Sequence, residues 1–353
     1  MNRALPAALV LSIAAVALHA QAPPSANTPP AATGLVVGSG NFFSPIVANL
    51  DRAVAFYRDG LGLQVMGDPT TAENNAPLRN MFGLPDAQLR WNIARPAGMR
   101  TGVEIIEISK ANGRPLTRTI SDPGAFTLVA TVTDVDATLA RLKTTGATVM
   151  TVSGAPLTVP LGSGKARAVV VRDRDNHFVE LVQPDKLPES AAAGSGVIDV
   201  HVRLTVDSVD SVMKLYRDAL GLQQQQPPNA FAKDRTVLDL LGVPKGEYRF
   251  AFAQVPGSGL RIAFMEFRGV DKQAVRGNIQ DPGSTRLQLQ VRDLDAAIKA
   301  LVDAGGAIVS SGAAPVELPA GRGAAIKAAI VRDPNNLFVV LIQAAQPAQP
   351  ARP

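Results

Sequence analysis

Tyr57-Arg58-Asp59-Gly60-Leu61-Gly62-Leu63-Gln64 reads Y-R-D-G-L-G-L-Q, and residues 216–223 read Y-R-D-A-L-G-L-Q. Seven of the eight positions are identical at an offset of 159 residues. The offset holds on moving outward. Gly83 and Pro85 meet Gly242 and Pro244, Glu107 meets Glu266, and Asp122-Pro123-Gly124 meets Asp281-Pro282-Gly283. Beyond Thr144 the second copy carries one extra residue, so Arg172-Asp173 meets Arg332-Asp333. An ordered series of matches of this kind is an internal duplication.

Each half again contains two similar units. A unit opens on an alternating strand, passes Asn, Asp or Ser, enters an amphipathic helix and returns through further strands. In the third unit Ile198, Val200, Val202, Leu204 and Val206 alternate with Asp199, His201, Arg203 and Thr205, the period-two pattern of a sheet with two unlike faces. The helix that follows lines up Val209, Val212, Tyr216 and Leu220, with Ser208 as its N-cap. The fourth unit repeats this with Thr285, Leu287, Leu289 and Val291 against Arg286, Gln288 and Gln290, then Leu294, Ile298 and Leu301. The closing strands are expected over Gly102–Ser109, His177–Gln183, Leu260–Arg268 and Leu337–Gln343. R-D-R-D-N before His177 and R-D-P-N-N before Leu337 have the composition of tight hairpin turns. The fold class is therefore α+β, with four βαβββ units.

At 353 residues, 46% hydrophobic and 18% charged, the chain suits two globular domains. The formal charge of +5 is scattered, with no basic run interleaved with aromatics, so nucleic-acid partners are not expected. Arg3, an apolar stretch from Ala4 to Leu18 and the small residue Ala20 form the layout of a secretory signal peptide over 1–20. The expected location is therefore periplasmic or secreted. With no cysteine, disulfides and a lipid-anchored N-terminus are excluded. No later stretch is long and apolar enough to span a membrane. The expected organisation is a flexible leader over 21–37, a first domain over 38–184, a linker over 185–195, a second domain over 196–344 and a tail over 345–353.

Four such units, with Y-R-D-x-L-G-L in the first helix of each pair (preceded by Phe56 in the first), D-P-G between units and R-D-x-x-N-x-F-V-x-L closing each domain, resemble the vicinal-oxygen-chelate (glyoxalase/bleomycin-resistance/extradiol dioxygenase) superfamily. The resemblance implies two tandem glyoxalase-like domains whose paired units curl into cups. It implies metal ligands at the start of each opening strand and at a glutamate on each closing strand. The opening-strand positions are Phe42, Thr127, His201 and Arg286; the closing-strand positions are read as Glu107, Glu180, Glu266 and Val340. His201, Glu266 and Glu180 are thus the candidate ligands for one divalent ion (Zn, Mn, Fe or Ni), and Glu180 and Glu107 the candidate acid and base. Glu107 is preferred to Glu104 because its repeat equivalent is Glu266, whereas Glu104 matches Ala263. Arg286, Arg203 and Gln288 are candidate ligand-binding residues, the arginines suited to gripping an anion.

Which units share a cup stays open at this point. Pairing 3 with 4 brings together His201, Glu266, Arg286 and Val340, with an Arg286–Glu266 ion pair in place of a metal. Pairing 2 with 3 joins His201, Glu266, Glu180 and Thr127. Two functional readings follow from the resemblance: a metal-dependent lyase or isomerase with at most one competent site, and a metal-free small-molecule-binding or sequestering protein. Ring cleavage is disfavoured, because only His201 of the three histidines occupies a ligand position.

Overall fold

The computed structural model describes residues 33–72, 75–188, 196–319 and 325–343. The expected signal peptide and tail lie outside the described residues, as do most of the expected leader and linker. The chain forms two large antiparallel and parallel mixed sheets, and their composition answers the pairing question. The nine-stranded sheet takes its strands from units 2 and 3, and the eleven-stranded sheet takes its strands from units 1 and 4. Each cup therefore draws one unit from each half of the duplication.

The seam of each sheet is a pair of opening strands. In the 2–3 sheet, Phe126–Val132 of unit 2 runs antiparallel to Val197–Val206 of unit 3, with Arg203 opposite Thr127 and His201 opposite Val129. Their closing strands, Phe178–Pro184 and Arg261–Arg268, lie parallel to them on either side. In the 1–4 sheet, Ser44–Val47 meets Thr285–Val291 over two registered pairs only, with Arg286 opposite Ser44. That opening strand is too short to cover its partner, and Val36–Ser39 pairs with the remainder. Residues 36 and 37, expected to belong to a flexible leader, are thus part of the sheet.

The duplicated Y-R-D stretch has a shared local shape. Helices Leu50–Ala55 and Val209–Met213 each relax into a wider π turn, Phe56–Gly60 and Lys214–Ala219. The Leu-Gly-Leu that follows ends the helix. Gly62 (φ 78°) and Gly221 (φ 85°) adopt the left-handed backbone that only glycine takes cheaply, and their amides bond back to Arg58 and Arg217. Ser208 caps its helix as expected, accepting from the Ser211 amide. Two further short helices, Ala76–Met81 and Arg235–Leu240, sit at the cup mouths, capped by Asn75 and Asp234. The outer faces of both sheets and the helices of all four units share one continuous core, whereas each cup has its own inner apolar cluster.

Candidate functional site

Strand alternation decides what faces each cup. On the closing strands Ile106, Val182, Met265 and Val340 point into the inner clusters. Residues two positions away share their face, so the inward positions include Glu104, Glu180, Ala263 and Val340. Glu107 and Glu266 lie on the outer face, where they do a different job. The Glu107 carboxylate accepts from the Leu50 amide at 2.7 Å, and the Glu266 carboxylate from the Val209 amide at 2.8 Å. Gln183 and Gln343 do the same in units 2 and 4, accepting from Val135 and Leu294. All four closing strands thus tie down the first turn of their unit's helix, satisfying an amide the helix itself leaves unpaired.

This corrects the expected site. His201, Glu266 and Glu180 do not converge, because Met265 and Ala263 hold the inward face of their strand and turn Glu266 outward. Glu266 also pairs with Arg249 on the outer face, at 2.9 Å. Glu107 is likewise turned away from any acid–base role in a cup, with Arg90 beside it. Glu104, which sequence reasoning set aside, is the inward glutamate of unit 1. The signal that could have found it was the run V-E-I-I-E-I, in which Glu104 shares a face with Ile106 and Ile108.

In the 2–3 cup a cavity of about 170 Å³ remains. One wall is apolar, built from Val237, Leu240, Leu241, Phe250, Phe252 and Met265. The other carries Glu180, His201, Arg203, Asp199 and Arg261. Arg203, 6% exposed, donates from Nη1 to Glu180 Oε2 at 2.5 Å, and its Nε and Nη2 are buried without a partner. Arg261 is hydrogen-bonded to Asp199. His201 Nδ1 is also buried and unpartnered. Burial, with the Arg261 and Arg203 guanidiniums adding to it, pulls the His201 pKa down to about 3, so the imidazole is neutral at any physiological pH. Thr127 is buried in the seam and does not line the cavity.

The 1–4 cup holds the same kind of ion pair with the contributions exchanged. Here the arginine comes from unit 4 and the glutamate from unit 1: Arg286 Nη2 donates to Glu104 Oε2 at 2.7 Å. The same oxygen accepts from Ser44 Oγ at 3.3 Å and from the Gln288 side-chain amide. Arg286 is only 2% exposed, with its guanidinium 4.6 Å from the centre of the Phe82 ring. Met81, Phe82, Leu89, Ile106, Ile330 and Phe338 fill the rest. Arg286 and Gln288, expected to meet a ligand, both bond Glu104; Gln288 also accepts from the Asn41 amide, and Arg286 Nε is buried without a partner. The expected Arg286–Glu266 pair is replaced by Arg286–Glu104.

The donor sets do not fit a divalent ion. In the 2–3 cup the positions are occupied by Thr127, Glu180, His201 and Ala263, giving one imidazole and one carboxylate. That carboxylate already binds Arg203, and a cation beside His201 would face two guanidiniums. The 1–4 cup offers Phe42, Glu104, Arg286 and Val340, a single carboxylate already neutralised. Among the described residues no group of three or more His, Asp or Glu is arranged to hold a metal. His177 belongs to neither cup. Its Nδ1 lies 3.1 Å from Asp173 Oδ2 and its Nε2 3.2 Å from the Ser284 carbonyl. No described helix is long and apolar enough to cross a membrane.

The family model described as Glyoxalase/Bleomycin resistance protein/Dioxygenase superfamily matches residues 41–181 and 200–340. Among solved structures, glyoxalase I from Zea mays is similar at a TM-score of 0.54 and 18% identity, covering 86% of this chain and 92% of that one. A putative dioxygenase from Bacillus subtilis aligns at a TM-score of 0.49 and 12% identity, over 89% of this chain and 87% of that one. The first of these likenesses shows the fold. No curated protein matches the chain.

Proposed function

We propose, on the premise that the chain belongs to the glyoxalase/bleomycin resistance protein/dioxygenase superfamily, that it is a metal-independent small-molecule-binding protein working through its 2–3 cup. The observation that carries this is the Arg203–Glu180 pair in the cup that keeps a cavity. A guanidinium already neutralises the carboxylate that the resemblance would give to a metal. Acid–base chemistry is poorly served by the same wall. A useful base titrates near the working pH, whereas His201 titrates at about 3 and Glu180 is held by Arg203. An amphiphilic pocket with one polar wall is instead suited to binding. Export to the periplasm or the medium, with cleavage after Ala20, is part of the proposal and rests on the N-terminal sequence.

The test is metal analysis of untagged protein, combined with a thermal-shift screen of small aromatic and aliphatic compounds before and after chelator treatment. Stabilisation that survives chelation and disappears in Leu241→Phe, which fills the cavity, supports the proposal. Stoichiometric metal that is lost in both His201→Ala and Glu180→Ala would overturn it. N-terminal sequencing of native protein should return Gln21; Met1 from a soluble cell fraction would end the export part.

A further inference from the structure

Strand register lays the inward side chains of the 2–3 cup out in rows. Val129 is the partner of Glu180 on one side and of His201 on the other, and all three line the cavity. Glu180 and His201 thus stand two strand spacings apart, about 9–10 Å between backbones, with Val129 as the floor between them. Arg203 stands one row further along, opposite Thr127, and engages one oxygen of Glu180, Oε2. The other oxygen, Oε1, has no donor among the described residues and retains accessible surface, as does His201 Nε2. By contrast, His201 Nδ1 and the two unpartnered nitrogens of Arg203 are sealed. The 1–4 cup is laid out differently. Ser44 is the partner of Arg286 there and donates to Glu104, so the row runs Glu104, Ser44, Arg286 and the arginine ends it. Glu104 also keeps an oxygen without a described donor, so a free oxygen alone singles out nothing. Only in the 2–3 cup does the glutamate's row end on an imidazole with a cavity above it.

We infer that the 2–3 cup takes a small, uncharged ring compound carrying an O–H or N–H, the donor directed at Glu180 Oε1 and the ring lying over Val129 against Phe250, Phe252 and Leu241. This rests on the reading of that cup as the binding site and adds the ligand class. A carboxylate oxygen accepts and does not donate, so the group that meets it must be a donor. The fixed charges of the polar wall cancel, Arg203 against Glu180 and Arg261 against Asp199, so neither an anion nor a cation finds a counter-charge of its own. An ion would also surrender its hydration to a cavity whose other wall is aliphatic and aromatic. Burial and the two guanidiniums hold the His201 pKa at about 3, the response of a place that rejects a further positive charge. The neutral imidazole offers the ligand a donor or an acceptor at Nε2, according to its tautomer. The cavity of about 170 Å³ suits one ring with a short substituent, since an engineered apolar cavity of about 150 Å³ holds benzene.

Calorimetric titration of the full chain at neutral pH with phenol, toluene, benzylamine and benzoate provides the test. Phenol and toluene have nearly the same shape and phenol is the better hydrated, so a wholly apolar cavity prefers toluene. Here phenol should bind at least as tightly as toluene, with a stoichiometry of one, because its hydroxyl meets a charged acceptor. Protonated benzylamine and benzoate should each be weaker than phenol by about tenfold or more. Glu180→Gln keeps the side-chain shape but replaces the charged acceptor, and should weaken phenol by about fivefold or more while leaving toluene within about twofold. A purely structural role for Glu180 would weaken both alike, and equal losses overturn the inference. Should that variant fail to fold, the four-ligand series on the wild type decides alone. Toluene binding more tightly than phenol would overturn the donor assignment while leaving the cup as a binding site. Either ion binding as tightly as phenol would overturn the uncharged class in the same way. Failure of all four probes would overturn both the ligand class and the cup. Phenol binding unchanged by Leu241→Phe would place the ligand elsewhere and likewise overturn the inference.

Discussion

The two cups share a backbone and an ion pair, and differ in what their described residues place against it. In the 2–3 cup the arginine stands on the opening strand of unit 3 and the glutamate on the closing strand of unit 2. In the 1–4 cup unit 4 supplies the arginine and unit 1 the glutamate. Each pair bridges the seam from opposite sides, so charge neutrality is kept while the residue assignment is inverted. What separates the cups is the residue after the short mouth helix. Phe82 lies over Arg286 and closes one cup, whereas its repeat equivalent Leu241 lines the cavity of the other. Ser44 and Gln288 then add their bonds to the same oxygen of Glu104 that holds Arg286, while in the open cup Arg203 Nε and Nη2 are buried without a partner. Both arginines keep buried nitrogens without a partner, Nε on Arg286 and Nε and Nη2 on Arg203, so the two ion pairs differ in degree.

Breaking the pair should hurt the filled cup more. Glu104→Ala strands Arg286 at 2% exposure with no water to turn to, and should cost about 3–5 kcal/mol in urea denaturation. Glu180→Ala strands Arg203 beside a cavity that water can enter, and about 1–3 kcal/mol is expected. Equal losses would mean that the two cups are equally dry and would remove the basis of the comparison.

The hairpin turns next to the cups diverge in the same manner, and pH separates them. Asp333 accepts the Asn335 and Leu337 amides on one oxygen and the Tyr216 hydroxyl on the other, at 2.9 Å. In the equivalent turn Asp173 accepts the Asp175 and His177 amides, but its second oxygen faces the His177 ring, and the hydroxyl of Tyr57 is left without a partner. Burial pushes the Asp333 carboxyl up to about 6, above its ordinary 3.8. The folded state therefore holds this proton more tightly than the unfolded chain. The resulting stability is fully present below about pH 4 and is lost as pH rises to 6, by roughly 2–3 kcal/mol. Asp333→Asn should flatten that window, its amide donating to Tyr216 in place of the accepted hydroxyl. For His177, burial lowers the pKa, but the Asp173 charge and the hydrogen bonds to Asp173 and Ser284 outweigh it, leaving the pKa raised. Its contribution is present below 6.5 and disappears as pH rises through the raised value. His177→Leu, which copies Leu337, should remove only that later loss. A single pH profile shared by both variants would break the distinction between the turns.

Exchanging the mouth residues tests which side chain closes a cup. Phe82→Leu removes the ring over Arg286 and opens space beside it, an expected loss of about 1–3 kcal/mol. Leu241→Phe in the open cup should change stability by less than about 1 kcal/mol, because the cavity accepts the ring, and should abolish ligand binding. A strong destabilisation by Leu241→Phe would show that the cavity is too rigid to receive the ring.

How far the sequence carried the reading follows from which signals are periodic. The duplication, the four units, the alternation of His201, Arg203 and Thr205 and the Ser208 cap were all legible, because each is a local pattern with a fixed period. The pairing of units was not, since 2–3 and 3–4 pairing ask the same alternation of every strand. The inward glutamate was misread for a more instructive reason. Glu107 and Glu266 match each other across the duplication, and agreement between repeats looks like function. Here it records a helix cap. Gln183 and Gln343 held the clue, for they occupy the same position in units 2 and 4 and cannot be metal-binding carboxylates.

That equivalence supplies the smallest and most specific expected effect. If Glu266 serves only to cap the Val209 amide and hold Arg249, its neutral isostere should serve nearly as well, because Gln343 already does so for Leu294. Glu266→Ala should cost about 1 kcal/mol, the usual loss of a capping group, and Glu266→Gln about half of that or less. The residual difference reports the carboxylate's interaction with Arg249 and the first helical turn, and should shrink as salt is raised. Stabilisation by compounds that bind the 2–3 cup should be unchanged in both variants, since Glu266 faces away from the cavity. A metal-ligand or acid–base role makes the opposite demand. Glu266→Gln would then be as damaging to binding as Glu266→Ala while leaving stability unchanged. Measuring denaturation midpoint and ligand affinity on the same two proteins separates these outcomes, because the cap moves only the first quantity and a cup residue moves the second.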